Sequence, residues 1–231
     1  MPNRFLSASG DPAAKLREAL ADGATRVRVA VAAIALLALA ARFYGLGARV
    51  AHQDEARVAY WAYRYAESGV YWYRPAVHGP FLALTASHLF DLFGTSDLAM
   101  RSLVALAGGL LPLVALLFRG RLRDSETVAM AALLAANPLL LYYSRFYRND
   151  VLLAGLMLAA VGFFVRAYDD RRSVFLYAGT AALALAVTTK ENALVYPVCW
   201  AGAALLLWDR RLLVQQAGQR AGQHTASGAG G

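Results

Sequence analysis

Long apolar runs alternate with short polar stretches along this chain. After a polar lead over residues 1–24, Val29–Ala41 is uninterruptedly apolar, and Arg42, Phe43 and Tyr44 carry the run on to Leu46. Further runs cover Leu98–Phe118, Thr127–Tyr143, Val151–Val165, Val174–Thr189 and Ala193–Trp208. Each is about 15–21 residues, near the length that crosses roughly 30 Å of hydrocarbon. A backbone in hydrocarbon must satisfy its own hydrogen bonds, so the runs predict helices, bent at Pro112, Pro138 and Pro197. Phe81–Phe93 is shorter and is interrupted by His88 and Asp91; it predicts an interfacial or re-entrant helix that does not cross. The expected fold is all-α: a polytopic membrane bundle of about six transmembrane helices over residues 25–212, with an outer loop over 47–97. Residues 213–231 are rich in Gly, Ala and Gln and predict a disordered tail, which leaves His224 outside any site.

Composition agrees. Of 231 residues, 59% are hydrophobic and 16% charged, against about 25% charged in a soluble domain. Cys199 is the only cysteine, so no internal disulfide can form. The net charge of +8 does not point to nucleic acid, because its arginines flank the apolar runs and orient them. With the N-terminus in the cytoplasm, Arg119, Arg121, Arg123, Arg171, Arg172, Arg210 and Arg211 all fall inside. This topology has six spans in a cell membrane and both termini cytoplasmic. No cleavable signal peptide is evident ahead of Val29. The same topology leaves Arg49, Arg57, Arg64, Arg74, Arg145 and Arg148 outside, against the trend. Their partners are neighbouring carboxylates or lipid headgroups on one reading. On the other, planar guanidinium forks hold a phosphate.

The chemistry concentrates in Ala51–Pro80, AHQDEARVAYWAYRYAESGVYWYRPAVHGP. Glu55–Ser68 has helical spacing, with Val58, Trp61, Ala62 and Tyr65 on one face and Gly69 as its stop. This predicts an amphipathic helix on the outer leaflet, its tyrosines and tryptophans forming an interfacial belt. Asp54 opens the helix. Two readings stand for Asp54 and Glu55: a helix cap with a favourable first-turn acid, or a general base and its partner. A metal held by Asp54, Asp150 and His52 is a weaker third, since no ligand spacing is diagnostic.

Ser144–Asp150, SRFYRND, forms the second outer turn. Arg145 and Arg148 are three apart, so a helical turn would present them together to a phosphate. Asp150, at the hydrocarbon border, either pairs with one of them or faces Asp54 across a cavity. Lys190 and Glu191, in TTKEN, cap adjacent helix ends or contact phosphate. Within YRPAVHGP, Arg74 and His78 are candidate anion contacts; the other reading of His78 is a turn histidine with no such role.

These motifs resemble those of the GT-C superfamily of membrane glycosyltransferases, which includes the protein O-mannosyltransferases. More closely, HQDEA, YRPAVHGP, NPLLLYYSRFYRND and TTKENAL are similar to the archaeal flippase activity-associated membrane proteins, over about residues 40–212. The resemblance implies transfer of a sugar from a polyprenyl-phosphate donor to an acceptor on the outer face. Asp54 would be the base, with Glu55 and Asp150 orienting acceptor or metal and Arg145, Arg148 and Lys190 on the donor phosphate. It implies membrane lipid and other glycosylation-pathway proteins as partners, no nucleic acid, and no certain cofactor beyond a divalent metal as an option. Members of that family are usually longer, with more spans and a soluble C-terminal part, so this chain reads as a fragment or truncated product. The rival functions are a non-catalytic component of lipid-linked sugar flipping and a membrane assembly subunit. A transporter would place ionisable groups at mid-span, and only Asn137 breaks the apolar runs there.

Overall fold

The computed structural model describes residues 22–75 and 77–210. The polar lead as far as residue 21 and the expected tail over 213–231, with His224, lie outside them. Among the described residues every regular element is helical, and strand pairing is limited to one isolated bridge, Arg74 with His78. The described residues fall into two compact units, one ending at Glu191 and the other starting at Asn192.

In the first unit, α1 (Gly23–Phe43) is followed by α2 (Gln53–Ser68), α3 (Pro80–Phe93) and α4 (Asp97–Leu110). A 3₁₀ segment, Leu111–Phe118, continues α4. Then come α5 (Asp124–Ala136), α6 (Pro138–Tyr143), α7 (Asn149–Asp170) and α8 (Ser173–Thr189). Among the described residues three helices are long and apolar enough to cross a membrane: α1, α4 with its continuation, and α7. The apolar α3 and α8 are shorter. The protein is an all-helical membrane bundle, with Leu36, Leu37, Leu133 and Leu139 exposed on its sides. The 14 residues of α3 extend about 21 Å, short of the hydrocarbon thickness.

The remaining expected spans differ in detail. Thr127–Tyr143 is not one bent helix but two, broken at Asn137–Pro138. Pro138 has no N–H to give Leu134, and the Leu139 and Leu140 amides turn to Asn137 Oδ1 at 3.0 and 3.1 Å. Orphan carbonyls in an apolar setting need other donors, and Arg42 supplies them. Its guanidinium reaches Ala135 O at 3.2 and 3.3 Å and Leu134 O at 3.5 Å. Arg42 is fully buried, so Asn137 is not the only polar group at depth. Arg101, inside α4, is a second buried arginine. Pro112 marks a change of helix type: it sits at the start of the 3₁₀ segment that continues α4.

The core relevant to function lies under α2. Val58 and Ala62 pack on Leu82 and Ala86 of α3, Met100 and Val104 of α4, and Val151 and Leu152 of α7. The α2 helix starts earlier than expected: its cap is His52, not Asp54. It ends at Gly69, whose φ of 67° lies in the left-handed region that glycine tolerates. Gly79 is required for close approach: a Cβ there would lie 2.0 Å from Thr188 O, and its N–H donates to Thr189 O at 3.2 Å. The turn before α3 is thereby fixed to the end of α8. In the second unit, residues 195–210 are helical, and Pro197 falls in the first turn, where its missing N–H costs nothing.

Candidate active site

The start of α2 is fixed by two reciprocal bonds. His52 Nδ1 accepts from the Asp54 amide at 3.2 Å, and Glu55 Oε2 accepts from the His52 amide at 2.9 Å. This capping box satisfies orphan donors of the first turn and leaves the half-buried Asp54 carboxylate free to project sideways. It meets the loop before α7, where Arg148 NH1 donates to Asp54 Oδ2 at 2.6 Å. The Nε of the same guanidinium donates to Asp150 Oδ2 at 3.2 Å. Lys190, at the end of α8, donates to Asp150 Oδ1 at 2.8 Å. Two carboxylates and two cations from three separate elements thus form one chain, Asp54–Arg148–Asp150–Lys190, whose formal charges cancel.

A cavity of about 380 Å³ opens on this chain, lined by His52, Asp54, Tyr142, Tyr143, Phe146, Arg148 and Asp150. Its aromatic wall is built around Phe146, with ring centroids 4.7 Å from Tyr142 and 5.8 Å from Tyr143. The Arg49 guanidinium lies 3.7 Å from the Phe146 centroid. The cavity is therefore charged and hydrogen-bonding on one side and flat and aromatic on the other. Such a surface suits a polar ring carrying an anionic group.

Glu55 is not in this cavity. It was expected beside Asp54 in the chemistry, but helical geometry turns neighbouring residues about 100° apart, and its side chain is fully buried. Both oxygens are occupied. Oε1 accepts from Arg101 Nε at 2.8 Å and the Tyr147 amide at 2.9 Å; Oε2 accepts from Arg49 at 2.9 Å, Arg101 NH2 at 3.2 Å and the His52 amide. Arg101 in turn donates to Leu46 O and Arg49 O at 2.9 Å. Burial alone would raise the Glu55 carboxyl, but the bonds from Arg101, His52 and Tyr147 outweigh it and hold it below the usual glutamate range. Glu55 and Arg101 form a brace tying the start of α2 to α4 and to the loop carrying Phe146 and Arg148. Tyr147, fully buried, has its phenol pushed up by desolvation and donates to Leu82 O at 3.2 Å.

The expected phosphate contacts separate. Ser144–Arg148 is a loop, not a helical turn, so Arg145 and Arg148 diverge. Arg145 donates to Tyr44 O at 2.6 Å, away from the cavity. Arg74 stacks 4.6 Å over the Trp61 ring. His78, at φ 68°, lies 3.1 Å from Glu191, which also accepts from Tyr73. The Tyr73 hydroxyl, followed by lesser contributions including His78, holds the Glu191 carboxyl below its ordinary value. Of the five expected contacts, Arg148 lines the cavity and Lys190 joins it through Asp150. The metal reading fits the donor set poorly. Among the described residues no three His, Cys, Asp or Glu side chains converge, and Arg148 and Lys190 already occupy the facing carboxylate oxygens.

Sequence reasoning missed Arg101 altogether and gave Tyr142, Tyr143 and Phe146 no role. The charge within α4 was a usable signal, because an arginine inside an apolar run requires a partner. Nothing in the spacing marks the three aromatics. Asn149 was also passed over; it is buried and donates to Val77 O at 2.9 Å, holding the segment before α3 to α7.

A family model described as dolichyl-phosphate-mannose-protein mannosyltransferase matches residues 77–222. Arg148, Asp150 and Lys190 lie in the matched stretch; His52, Asp54 and Glu55 precede it. No curated protein and no solved structure matches the chain.

Proposed function

The chain belongs to the dolichyl-phosphate-mannose-protein mannosyltransferase family, and from that premise we propose that it transfers a sugar from a polyprenyl-phosphate donor to an acceptor hydroxyl on the outer face of the membrane. The observation that carries this reading is the convergence of Asp54 and Asp150 on one guanidinium beside an aromatic-walled cavity. In the proposed reaction Asp54 takes the proton of the acceptor hydroxyl as its oxygen bonds to the anomeric carbon. The bond from that carbon to the phosphate oxygen breaks, and the phosphate leaves with the electron pair. Arg148 uses Nε and one NH1 contact in its two ion pairs, so part of its five-donor fork is available to the leaving phosphate. Lys190 adds a second cation. Asp150 keeps both cations in place, and Glu55 acts through the backbone of His52 and Tyr147. The narrower likeness to flippase activity-associated proteins rests on the four sequence segments alone.

The test is donor turnover by purified protein in lipid, comparing wild type with Asp54→Asn. The expected loss is about 10²–10⁴-fold, the range for removing a general base, with donor binding retained. Full turnover in Asp54→Asn would leave Asp54 as an ion-pair partner of Arg148. The same ion pairing favours a second reading, a latch in a non-catalytic component of lipid-linked sugar flipping. That reading gains if the wild-type protein transfers no sugar and Asp54→Asn still supports flipping in cells.

A further inference from the structure

A second basic site lies at the other end of α7. The helix has 22 residues, so its far end is about 33 Å from Asp150, a membrane thickness away. There the chain reverses over Arg171 and Arg172 into α8, with Arg171 in the left-handed region at φ 54°. A shallow cavity of about 470 Å³ opens beside this turn. Phe164 and Leu176 form its apolar wall, Tyr168 its border, and Arg171, Arg172 and Ser173 its polar end.

The charges here are unequally matched. Asp169 is paired with Arg121 and Asp170 with Arg166, both at 2.7 Å. No ion pair to a carboxylate engages Arg171 or Arg172 among the described residues. Rings orient both instead: Arg171 lies 5.0 Å from the Tyr168 centroid and Arg172 5.8 Å from that of Phe175. Two arginines pre-positioned in this way lose little freedom when a ligand arrives. The polar end is positive, while the wall continues the apolar surfaces of α7 and α8, both apolar helices of the bundle. A ligand filling it must be anionic at one end and hydrocarbon at the other.

We infer that this cavity binds an anionic phospholipid, its phosphate on Arg171, Arg172 and Ser173 and an acyl chain against Phe164 and Leu176. Basic pockets between spans at a membrane surface are suited to such headgroups, and the site is independent of the transfer reaction proposed above. The test titrates full-length protein in neutral detergent with short-chain phosphatidylglycerol, reading the dissociation constant from the thermal shift. Parallel arms use short-chain phosphatidylcholine and inorganic phosphate. The double variant Arg171→Gln/Arg172→Gln is expected to bind phosphatidylglycerol about 10–30-fold more weakly, from the contribution of each surface arginine. Phosphatidylcholine and inorganic phosphate should produce no comparable shift. Arg123→Gln, which removes the same kind of charge elsewhere on the chain, should bind as wild type. Equal weakening in Arg123→Gln would reduce the effect to net charge and overturn the site. So would an unchanged constant in the double variant. A shift with inorganic phosphate as large as with the lipid would overturn the lipid assignment. Should the double variant not fold, Arg171→Gln and Arg172→Gln singly carry the test, each expected to weaken phosphatidylglycerol binding about fivefold; wild-type affinity in both single variants would overturn the site.

Discussion

The brace under α2 gives the sharpest quantitative expectation. Glu55→Gln keeps the shape of the side chain but replaces one acceptor oxygen with an NH₂ donor. Placed at Oε1, that group would face Arg101 Nε and the Tyr147 amide; placed at Oε2, it would face Arg49, Arg101 NH2 and the His52 amide. Either orientation leaves two or three donors without an acceptor, at about 1–3 kcal/mol for each buried one. Arg101 remains charged and fully buried, and breaking such a pair costs about 3–5 kcal/mol. The two routes overlap, and about 3–5 kcal/mol is the figure to test. For a unit of this size each kcal/mol lowers Tm by about 2–4 °C, so the fall should be about 6–20 °C in thermal unfolding of the detergent-solubilised protein.

The pH dependence has a definite sign. The folded-state Glu55 carboxyl lies below its unfolded value of 4.5. Its stabilisation is therefore complete above pH 4.5 and is lost as pH falls through the lower folded value. Wild type should lose stability in that acid window, and Glu55→Gln should show a flatter limb there. A Tm change under about 2 °C together with a turnover loss above about 100-fold would refute the brace and return Glu55 to the chemistry.

Arg148→Lys keeps a charge but cannot bridge two carboxylates and a phosphate at once, so donor affinity should fall about 10-fold or more in a binding titration. For orientation, cysteines introduced at the exposed Ser68 and Ser173, with Cys199 replaced, should differ. An impermeant reagent added outside should label position 68 and spare 173.

The apolar runs were legible because membrane burial acts on residue type, and α1, α4 and α7 follow them closely. The amphipathic helix α2 was legible from the spacing of Val58 and Ala62 and from Gly69. Its first residue was not, because His52 caps through a ring nitrogen, an uncommon choice beside Asp54. The break in Thr127–Tyr143 could be read from Pro138 as a bend. Its repair by Arg42 could not, since that contact joins residues more than ninety positions apart. The candidate site was half legible: Arg148 was named from charge against the topology, Asp54 from its place at the helix start, Asp150 from the hydrocarbon border and Lys190 from the TTKEN turn. Arg145 was grouped with Arg148 on a helical turn that the chain does not make. Of the two readings of Glu55, the first-turn acid fits its bond to the His52 amide; the chemical one rested on adjacency to Asp54, which says nothing about which side of α2 each residue faces.

The neutral ion chain also bears on the order of events in the proposed reaction. Arg148 NH1 occupies Asp54 Oδ2 at 2.6 Å, so an acceptor hydroxyl would have to displace that donor to reach this oxygen. A donor phosphate would compete for the same guanidinium. A bond that Arg148 turned from Asp54 to phosphate would free that carboxylate oxygen for the acceptor hydroxyl. Asp150 and Lys190 keep Arg148 in place while this exchange occurs. In the proposed reaction donor binding would then open Asp54 to the acceptor, which would meet the carboxylate after the sugar is in place. Donor-first binding in steady-state kinetics with purified protein would support this order, and random-order binding would refute it.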